Sequence, residues 1–206
     1  MLTLYSQQSS GNAYKPRLLM AQLGIAFRLV EVNTYDGSTR TPEFLRKNPI
    51  GKVPLLEWDD GRRLAESNAM LLHLAEGTRM LPSEPFDRAK AYEWLFFEQY
   101  SHEPAIAVRR SILTAPERAA QRTPERLASL LEAGNRALAV MEGRLRGADW
   151  LAGDDYSVAD IALYAYTHKA GEGEFDLSRS PGIEAWLARV ADQRGHVPIE
   201  WRPAET

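Results

Sequence analysis

The stretch "KVPLLEWDDGRRLAESNAMLLHLAEG", residues 52–77, decides the fold of the first part of the chain. Its segments "KVPLLEW" and "RLAES" flank the turn signal "DDGR", a pattern that predicts a β-hairpin. The next segment, "NAMLLHLAEG", carries apolar residues at helical spacing and ends at Gly77, which favours a helix closed by glycine. The stretch is therefore predicted to form two strands followed by a helix.

On the N-terminal side of this stretch, shorter patterns complete an α/β unit. "LTLY" indicates a strand, "RLLMAQLG" a helix closed by Gly24, and "AFRLVEVNT" a second strand with apolar residues at alternate positions. "TPEFLRKNP" then indicates a short helix that begins at Thr41, with Pro42 in its first position. The predicted order of elements is β-α-β-α-β-β-α.

On the C-terminal side, "TRMLPSEPFD" contains two prolines and no strong periodicity, which predicts a linker over residues 78–86. No later segment has a strand pattern, and four long segments have apolar residues at helical spacing. The final "HVPIEWRPAET" is predicted to be an irregular tail. We therefore expect an α+β protein with a mixed domain over residues 1–77 and an all-helical domain over residues 87–206.

Charge and hydropathy argue against partnership with nucleic acids or membranes. The 206-residue chain has a formal net charge of −3 and a pI of about 5.9, so it has no general attraction to phosphate backbones or anionic lipids. No apolar run approaches the roughly 18 residues of a membrane span, and "MLTLYSQQSS" lacks the basic start of a signal peptide. The expected location is the cytoplasm.

The chain contains no cysteine. This excludes disulfides, thiolate metal ligands and a cysteine nucleophile, so any thiol chemistry must use the sulfur of a bound molecule. No metal is predicted, because the four histidines show no spacing typical of a metal site; they are His73, His102, His168 and His196.

In "GKVPLLE", the proline stands at the entrance of a strand. On spacing alone the Val53-Pro54 bond is expected to be trans, because cis bonds are rare. The alternative is a cis bond, which would turn the chain so that the backbone N–H and C=O of Val53 face an extended peptide.

In "ESNAMLLHL", Glu66 and Ser67 stand at the amino end of a predicted helix. The N–H groups and dipole of such an end favour a bound carboxylate, and Glu66 is suited to an ammonium group, so the pair suits an amino-acid zwitterion. Taken alone, the pattern is more typical of a plain helix cap by Ser67 or Asn68.

In "YSVADIALY", Ser157 and Asp160 have the spacing of a capping box, and Tyr156 and Ile161 that of a hydrophobic staple. This motif is predicted to start a core helix and has no catalytic role.

The order of these features resembles the cytosolic glutathione transferases, and in particular bacterial members with a serine or Ser-x-Asn start. The resemblance covers nearly the whole chain: a βαβ unit with "SSGN" at its turn, "KVP", "ES" before a helix, a proline-bearing linker and a helical half with "SVADI". It implies a thioredoxin-like first domain, a helical second domain that shapes the pocket for a second substrate, glutathione as co-substrate, and a homodimer.

The resemblance also implies a binding site for glutathione. Pro54 would be cis, and Val53 would pair its backbone with the cysteinyl part of glutathione. Glu66 and Ser67 would hold the γ-glutamyl end. Lys52 would either approach the glycine carboxylate or be an ordinary surface lysine.

In this family the residue that faces the glutathione sulfur lies at the end of the first strand or the start of the first helix. The resemblance therefore implies Ser10 as the catalytic residue, with Asn12 as its partner. Serines and asparagine before a helix are also ordinary caps. Alternative residues for contact with the sulfur are Ser9, Tyr5 and Tyr14.

Pro16 departs from the family pattern, because proline is comfortable only in the first turn of a helix. We expect the first helix to begin later than usual, which would leave Ser10 and Asn12 on a loop. Arg109 and Arg110 are predicted either to reach the cleft or a partner subunit, or to form a solvated face. Glu103 is a weaker candidate for contact with glutathione across a dimer.

The activity implied by the resemblance is that of a glutathione transferase, which activates the thiolate of bound glutathione for attack on an electrophilic, apolar substrate, as in detoxification. One alternative of the same class is a glutathione-dependent disulfide reductase. Another is a non-catalytic interaction module, since this fold also serves as a binding domain.

Overall fold

A computed structural model describes residues 1–204 of the chain, which divide into two compact units. The first unit comprises Met1–Glu76 and the described part of Arg194–Thr206, and the second comprises Gly77–Gln193. Among the described residues, no helix is both long enough and apolar enough to cross a membrane.

The first unit has the predicted order of elements, and its thioredoxin-like fold is confirmed. The strands are β1 (Leu2–Ser6), β2 (Phe27–Glu31), β3 (Leu55–Trp58) and β4 (Arg63–Leu64), and the helices are α1 (Gly11–Leu23), α2 (Pro42–Lys47) and α3 (Ser67–Ala75).

The four strands form one mixed sheet in the order β2-β1-β3-β4. Strand β1 runs parallel to β2 and antiparallel to β3, so that Leu4 pairs with Leu29 on one side and with Leu56 on the other. Successive strand residues point to opposite faces. Leu56 therefore joins one apolar cluster with Leu4, while Leu55 joins another with Phe44.

Helix α1 begins at Gly11, so the expectation of a later start is wrong. Ser10 caps the helix by accepting a hydrogen bond from the N–H of Ala13. Pro16 is the sixth residue of the helix, where it removes the bond that residue 16 would donate to the carbonyl of Asn12 and crowds that carbonyl with its ring. The cap and the buried apolar side of the helix outweigh this loss, and Asn12 lies within the helix.

The second unit is helical, as predicted. Its helices are α4 (Pro85–Phe97), α5 (Glu103–Thr114), α6 (Pro124–Leu145), α7 (Val158–Thr167) and α8 (Pro181–Ala191), with a π-helical segment, Glu98–His102, between α4 and α5. Helix α4 begins at Pro85, within the predicted linker. The capping box of Ser157 and Asp160 is present at the start of α7.

The segment that follows α8 was predicted from the sequence to be part of the helical domain, and the structure differs on this point. It is irregular, as predicted, but it belongs to the first unit. The Tyr14 hydroxyl donates to the carbonyl of Val197 over 2.6 Å, and the ring of Trp201 lies 6.3 Å from that of Phe27. Burial of such aromatic surface explains why a segment without a helical or strand pattern has a fixed position.

Candidate active site

The bond between Val53 and Pro54 is cis. A buried side chain, Asn48, fixes the turn that leads to it: its amide nitrogen donates to the carbonyl of Lys52 over 2.8 Å, and its amide oxygen accepts from the N–H of Ile50 at 3.2 Å. Val53 is thereby held at the entrance to β3, whereas the side chain of Lys52 is exposed. Asn48 was not among the residues predicted from the sequence, although the Asn-Pro pair in "RKNPIGK" is a turn signal.

At the start of α3, Glu66 has φ 65° and ψ 112°, an unusual conformation for a residue other than glycine. Such backbone strain persists only where the surrounding structure enforces it, and it is common at ligand sites. Glu66 is exposed, and its carbonyl accepts from the N–H of Met70 at 3.0 Å. Ser67, the first residue of α3, is buried.

A chain of hydrogen bonds connects the starts of α1 and α3. The Lys15 ammonium donates to the Ser67 hydroxyl oxygen over 3.2 Å, and the Ser67 hydroxyl donates to the amide oxygen of Asn12, also over 3.2 Å. Lys15 donates in addition to the amide oxygen of Asn68 at 3.1 Å. The structure thus brings together Asn12 and Ser67, two of the residues singled out from the sequence.

Lys15 was not singled out from the sequence, because the predicted helix began only at Arg17. It is fully buried. The available signal was its spacing: Lys15 lies three and four positions before Leu18 and Leu19, and so on the same side of a helix as these two core residues.

Ser10 lies at the amino end of α1 and is half-buried. Its oxygen accepts from the N–H of Ala13 at 3.3 Å, and a hydroxyl that accepts such a bond retains its own proton for donation. Ser9, in contrast, is exposed and accepts from the side chain of Gln7 at 3.4 Å. The capping residue is therefore Ser10.

The two tyrosine alternatives have other partners. The Tyr5 hydroxyl donates to Glu57 over 2.6 Å and accepts from Lys47 at 2.8 Å. Burial alone would raise the pKa of Glu57, but the hydrogen bonds from Lys47, Tyr5 and Arg63 outweigh it and lower the pKa to about 2. The Tyr14 hydroxyl donates to the carbonyl of Val197. Both tyrosines thus donate within the first unit.

The charged candidates of the helical unit also have structural partners. Arg109 is buried and donates to the carbonyls of Gly173 and Leu127 at 2.7 and 2.6 Å, which ties α5 to neighbouring segments. Arg110 pairs with Glu172 at 2.7 Å. Across residues 1–204, no group of three or more acidic or histidine side chains has a geometry that suits a metal ion.

Comparison with known families gives two matches that together cover most of the chain. Residues 1–76 match the N-terminal domain of glutathione S-transferase, and residues 96–193 match its C-terminal domain. The chain belongs to the glutathione S-transferase family. It is an enzyme of that family, with a thioredoxin-like domain followed by a helical one.

Individual relatives cover nearly all of this transferase. A glutathione S-transferase from Pseudomonas fluorescens Pf-5 superposes with a TM-score of 0.93 at 49% identity, over 96% of this chain and 98% of that one. The disulfide-bond oxidoreductase YfcG of Escherichia coli K12 is 30% identical, over 92% of this chain and 90% of its own length. A glutathione transferase from Burkholderia graminis, solved with two glutathione molecules per subunit, is 26% identical with a TM-score of 0.82, over 94% of this chain and 85% of that one.

Proposed function

We propose that this chain binds glutathione in its first unit and transfers it to an electrophilic, apolar substrate. The observation that carries the proposal is the hydrogen bond between Asn12 and Ser67, because it connects the residue proposed to act at the sulfur with one proposed to act at the γ-glutamyl end.

The proposed contacts follow the polar groups of glutathione. The backbone of Val53 pairs with the cysteinyl part, and Lys52 approaches the glycine carboxylate. The backbone N–H groups of Ser67 and of the residues after it at the start of α3 hold the γ-glutamyl carboxylate, while the exposed Glu66 attracts its ammonium group.

Ser10 and Asn12 are proposed to stabilise the thiolate of bound glutathione. A free thiol has a pKa of about 8.5, and lowering it by about two units takes roughly 2.7 kcal/mol of differential stabilisation. A hydroxyl donor, an amide donor and the amino end of α1 together supply an effect of this size. The thiolate then attacks an electrophilic carbon, a carbon–sulfur bond forms, and the leaving group departs with its electron pair.

A second candidate function is the reduction of disulfides, which the similarity to YfcG favours. In this reaction the glutathione thiolate attacks a disulfide and releases one thiolate, and a second glutathione resolves the mixed disulfide to give glutathione disulfide and a second thiol. The two glutathione molecules supply both electrons and both attacking sulfur atoms, so the reaction is compatible with a chain that has no cysteine.

The test begins with calorimetric titration of the wild-type protein and Ser67→Ala with glutathione at two pH values. We expect saturable binding with proton release, and weaker binding by the variant. Turnover of an aromatic halide is then compared with turnover of a model disulfide. Activity on the disulfide alone would replace the first proposal by the second, and absence of binding at millimolar glutathione would contradict both.

A further inference from the structure

Lys15 is a fully buried cation that donates to Ser67 in the hydrogen-bond chain between α1 and α3. We propose that Lys15 is a positioning residue that fixes the direction of this chain, so that the amide of Asn12 presents its N–H donors, and not its oxygen, away from Ser67. The inference rests on the proposed function, in which Asn12 donates to the glutathione sulfur.

The direction of the hydrogen-bond chain follows from the donors and acceptors that Lys15, Ser67 and Asn12 have. An ammonium group has three donors and no lone pair, so the Ser67 oxygen can only accept from it. The single hydroxyl proton of Ser67 is then available to Asn12, and it is donated to the amide oxygen. An amide whose oxygen is used in this way carries its NH₂ group on the other branch. Accepting from a cation also makes the Ser67 hydroxyl a stronger donor and a weaker acceptor, so Lys15 favours the orientation in which the NH₂ group of Asn12 is turned outward.

A second contact holds Lys15 in place. Its ammonium also donates to the amide oxygen of Asn68, the residue after Ser67 on α3. A buried charge is costly unless it is hydrogen-bonded, so the ammonium stabilises the arrangement in which both α3 side chains offer their oxygens. Two donors from one cation thereby orient two neighbouring side chains.

Without Lys15 the hydrogen-bond chain has no preferred direction. Without the polarisation by the ammonium, the Ser67 hydroxyl accepts from Asn12 about as readily as it donates to it, and the orientation with the Asn12 amide rotated by half a turn becomes populated. In that orientation the amide oxygen faces the proposed sulfur position, where it disfavours a thiolate. The loss of one donor is expected to raise the pKa of the bound thiol by roughly one unit, which is a tenfold loss of thiolate below that pKa.

The experiment compares Lys15→Met, which keeps the length of the side chain but has no donor, with the conservative variant Lys15→Arg. Arginine, like lysine, has donors and no acceptor, so it preserves the direction of the hydrogen-bond chain. The matched control is Arg17→Met, which removes another buried cation of α1, one that donates to the backbone carbonyls of Gln8, Ala13 and Trp201. Thermal unfolding of all three variants measures the purely structural cost.

The decisive readout is the pH dependence of thiolate absorbance for bound glutathione, with kcat followed over the same pH range. Lys15→Met should shift both profiles upward by roughly one unit, Lys15→Arg should keep both profiles close to those of the wild type, and Arg17→Met should lower stability without any shift. Lys15→Met leaves unchanged the other ionisable groups of β1, α1 and α3, namely Tyr5, Tyr14, Arg17 and His73, and also Glu66 next to α3 and His196 and Glu200 of the final segment.

An unshifted profile for Lys15→Met would overturn the inference while leaving the proposed function intact, provided that the wild-type protein binds and ionises glutathione. No binding by the wild-type protein would contradict the proposed function itself. If Lys15→Met does not fold, Ser67→Ala interrupts the same chain at its middle member. An upward shift of the thiol pKa in that variant supports the inference, and an unchanged pKa overturns it.

Discussion

The hydroxyl of Ser67 donates to the amide oxygen of Asn12 over 3.2 Å, although the two residues are 55 positions apart in the sequence. This contact makes the ends of two helices parts of one arrangement. Anything that moves the start of α3 therefore also affects the side chain at the start of α1. In the proposed function, a ligand group held by Ser67 is coupled in this way to the chemistry at Asn12.

Replacement of Ser10 separates its two roles. Ser10→Ala should lower kcat/KM with glutathione about a hundredfold, because it removes a donor to the thiolate. It should also lower stability by about 1 kcal/mol, because the N–H of Ala13 loses the oxygen that caps the helix. Ser10→Gly should lose the same activity, but its stability should fall by only a few tenths of a kcal/mol. Steady-state kinetics and denaturant unfolding measure the two effects. Wild-type activity in both variants, or an equal loss in the exposed Ser9→Ala, would reject Ser10 as the thiolate donor.

Glu57 should stabilise the first unit against acid. Its pKa is lowered from 4.5 to about 2 in the folded protein, so its stabilisation is present above pH 4.5 and is lost as the pH falls toward 2. The difference in pKa corresponds to about 3 kcal/mol.

Glu57→Gln should therefore be less stable than the wild type at pH 7, and this difference in stability should stay constant down to about pH 4.5 and narrow as the pH falls toward 3. Thermal unfolding across this range measures the difference, with the exposed Glu43→Gln as the control. A difference in stability that does not change with pH would show that the contacts from Lys47, Tyr5 and Arg63 do not stabilise an ionised Glu57.

Two glycines of α6 should respond in opposite directions to alanine. A Cβ at Gly134 would lie 2.5 Å from the ring carbon Cζ of Phe175, whereas a Cβ at Gly143 would meet nothing within 4 Å. Gly134→Ala is expected to destabilise the helical unit by about 1–3 kcal/mol through overpacking. Gly143→Ala should stabilise it by roughly 0.5–1 kcal/mol, because alanine is the better helix former. Chemical denaturation of both variants checks the pair, and equal effects would contradict the close approach of Phe175.

We also propose that the protein is a homodimer, as the family resemblance implies. Phe96 and Tyr100 lie four positions apart around the end of α4 and are 73% and 87% exposed, which is unusual for large apolar side chains that have no partner protein. Light scattering should give twice the chain mass of 23.2 kDa. Phe96→Glu combined with Tyr100→Glu should give the monomer mass. A wild-type mass of one chain, or a dimer unaffected by the double substitution, would contradict this interface.

The features that could be predicted from the sequence are local ones. Caps such as Ser157 with Asp160, and the closing residue Gly24, depend on a few neighbouring positions, and the structure contains both. The order of elements followed from apolar periodicity in the same way. The role of Pro16 was misjudged, because the packing of α1 against the sheet and α3 overrides a local preference.

The features that could not be predicted depend on residues far apart in the chain. Lys15 and Ser67 are 52 positions apart, and only the packing of α1 against α3 brings them into contact. Tyr14 and Val197 are 183 positions apart. No periodicity or short motif contains such a pairing, so the buried lysine resembled a surface residue and the final segment resembled a tail.

The position of that final segment has a consequence for synthesis on the ribosome. The first unit is assembled from the two ends of the described chain, with all of Gly77–Gln193 between them. When residue 76 leaves the ribosome, the strands and helices of this unit are present, but the carbonyl that accepts from Tyr14 and the ring that covers Phe27 have not yet been made. The helical unit is translated before its predecessor is complete, so the domain that begins first is the one that finishes last.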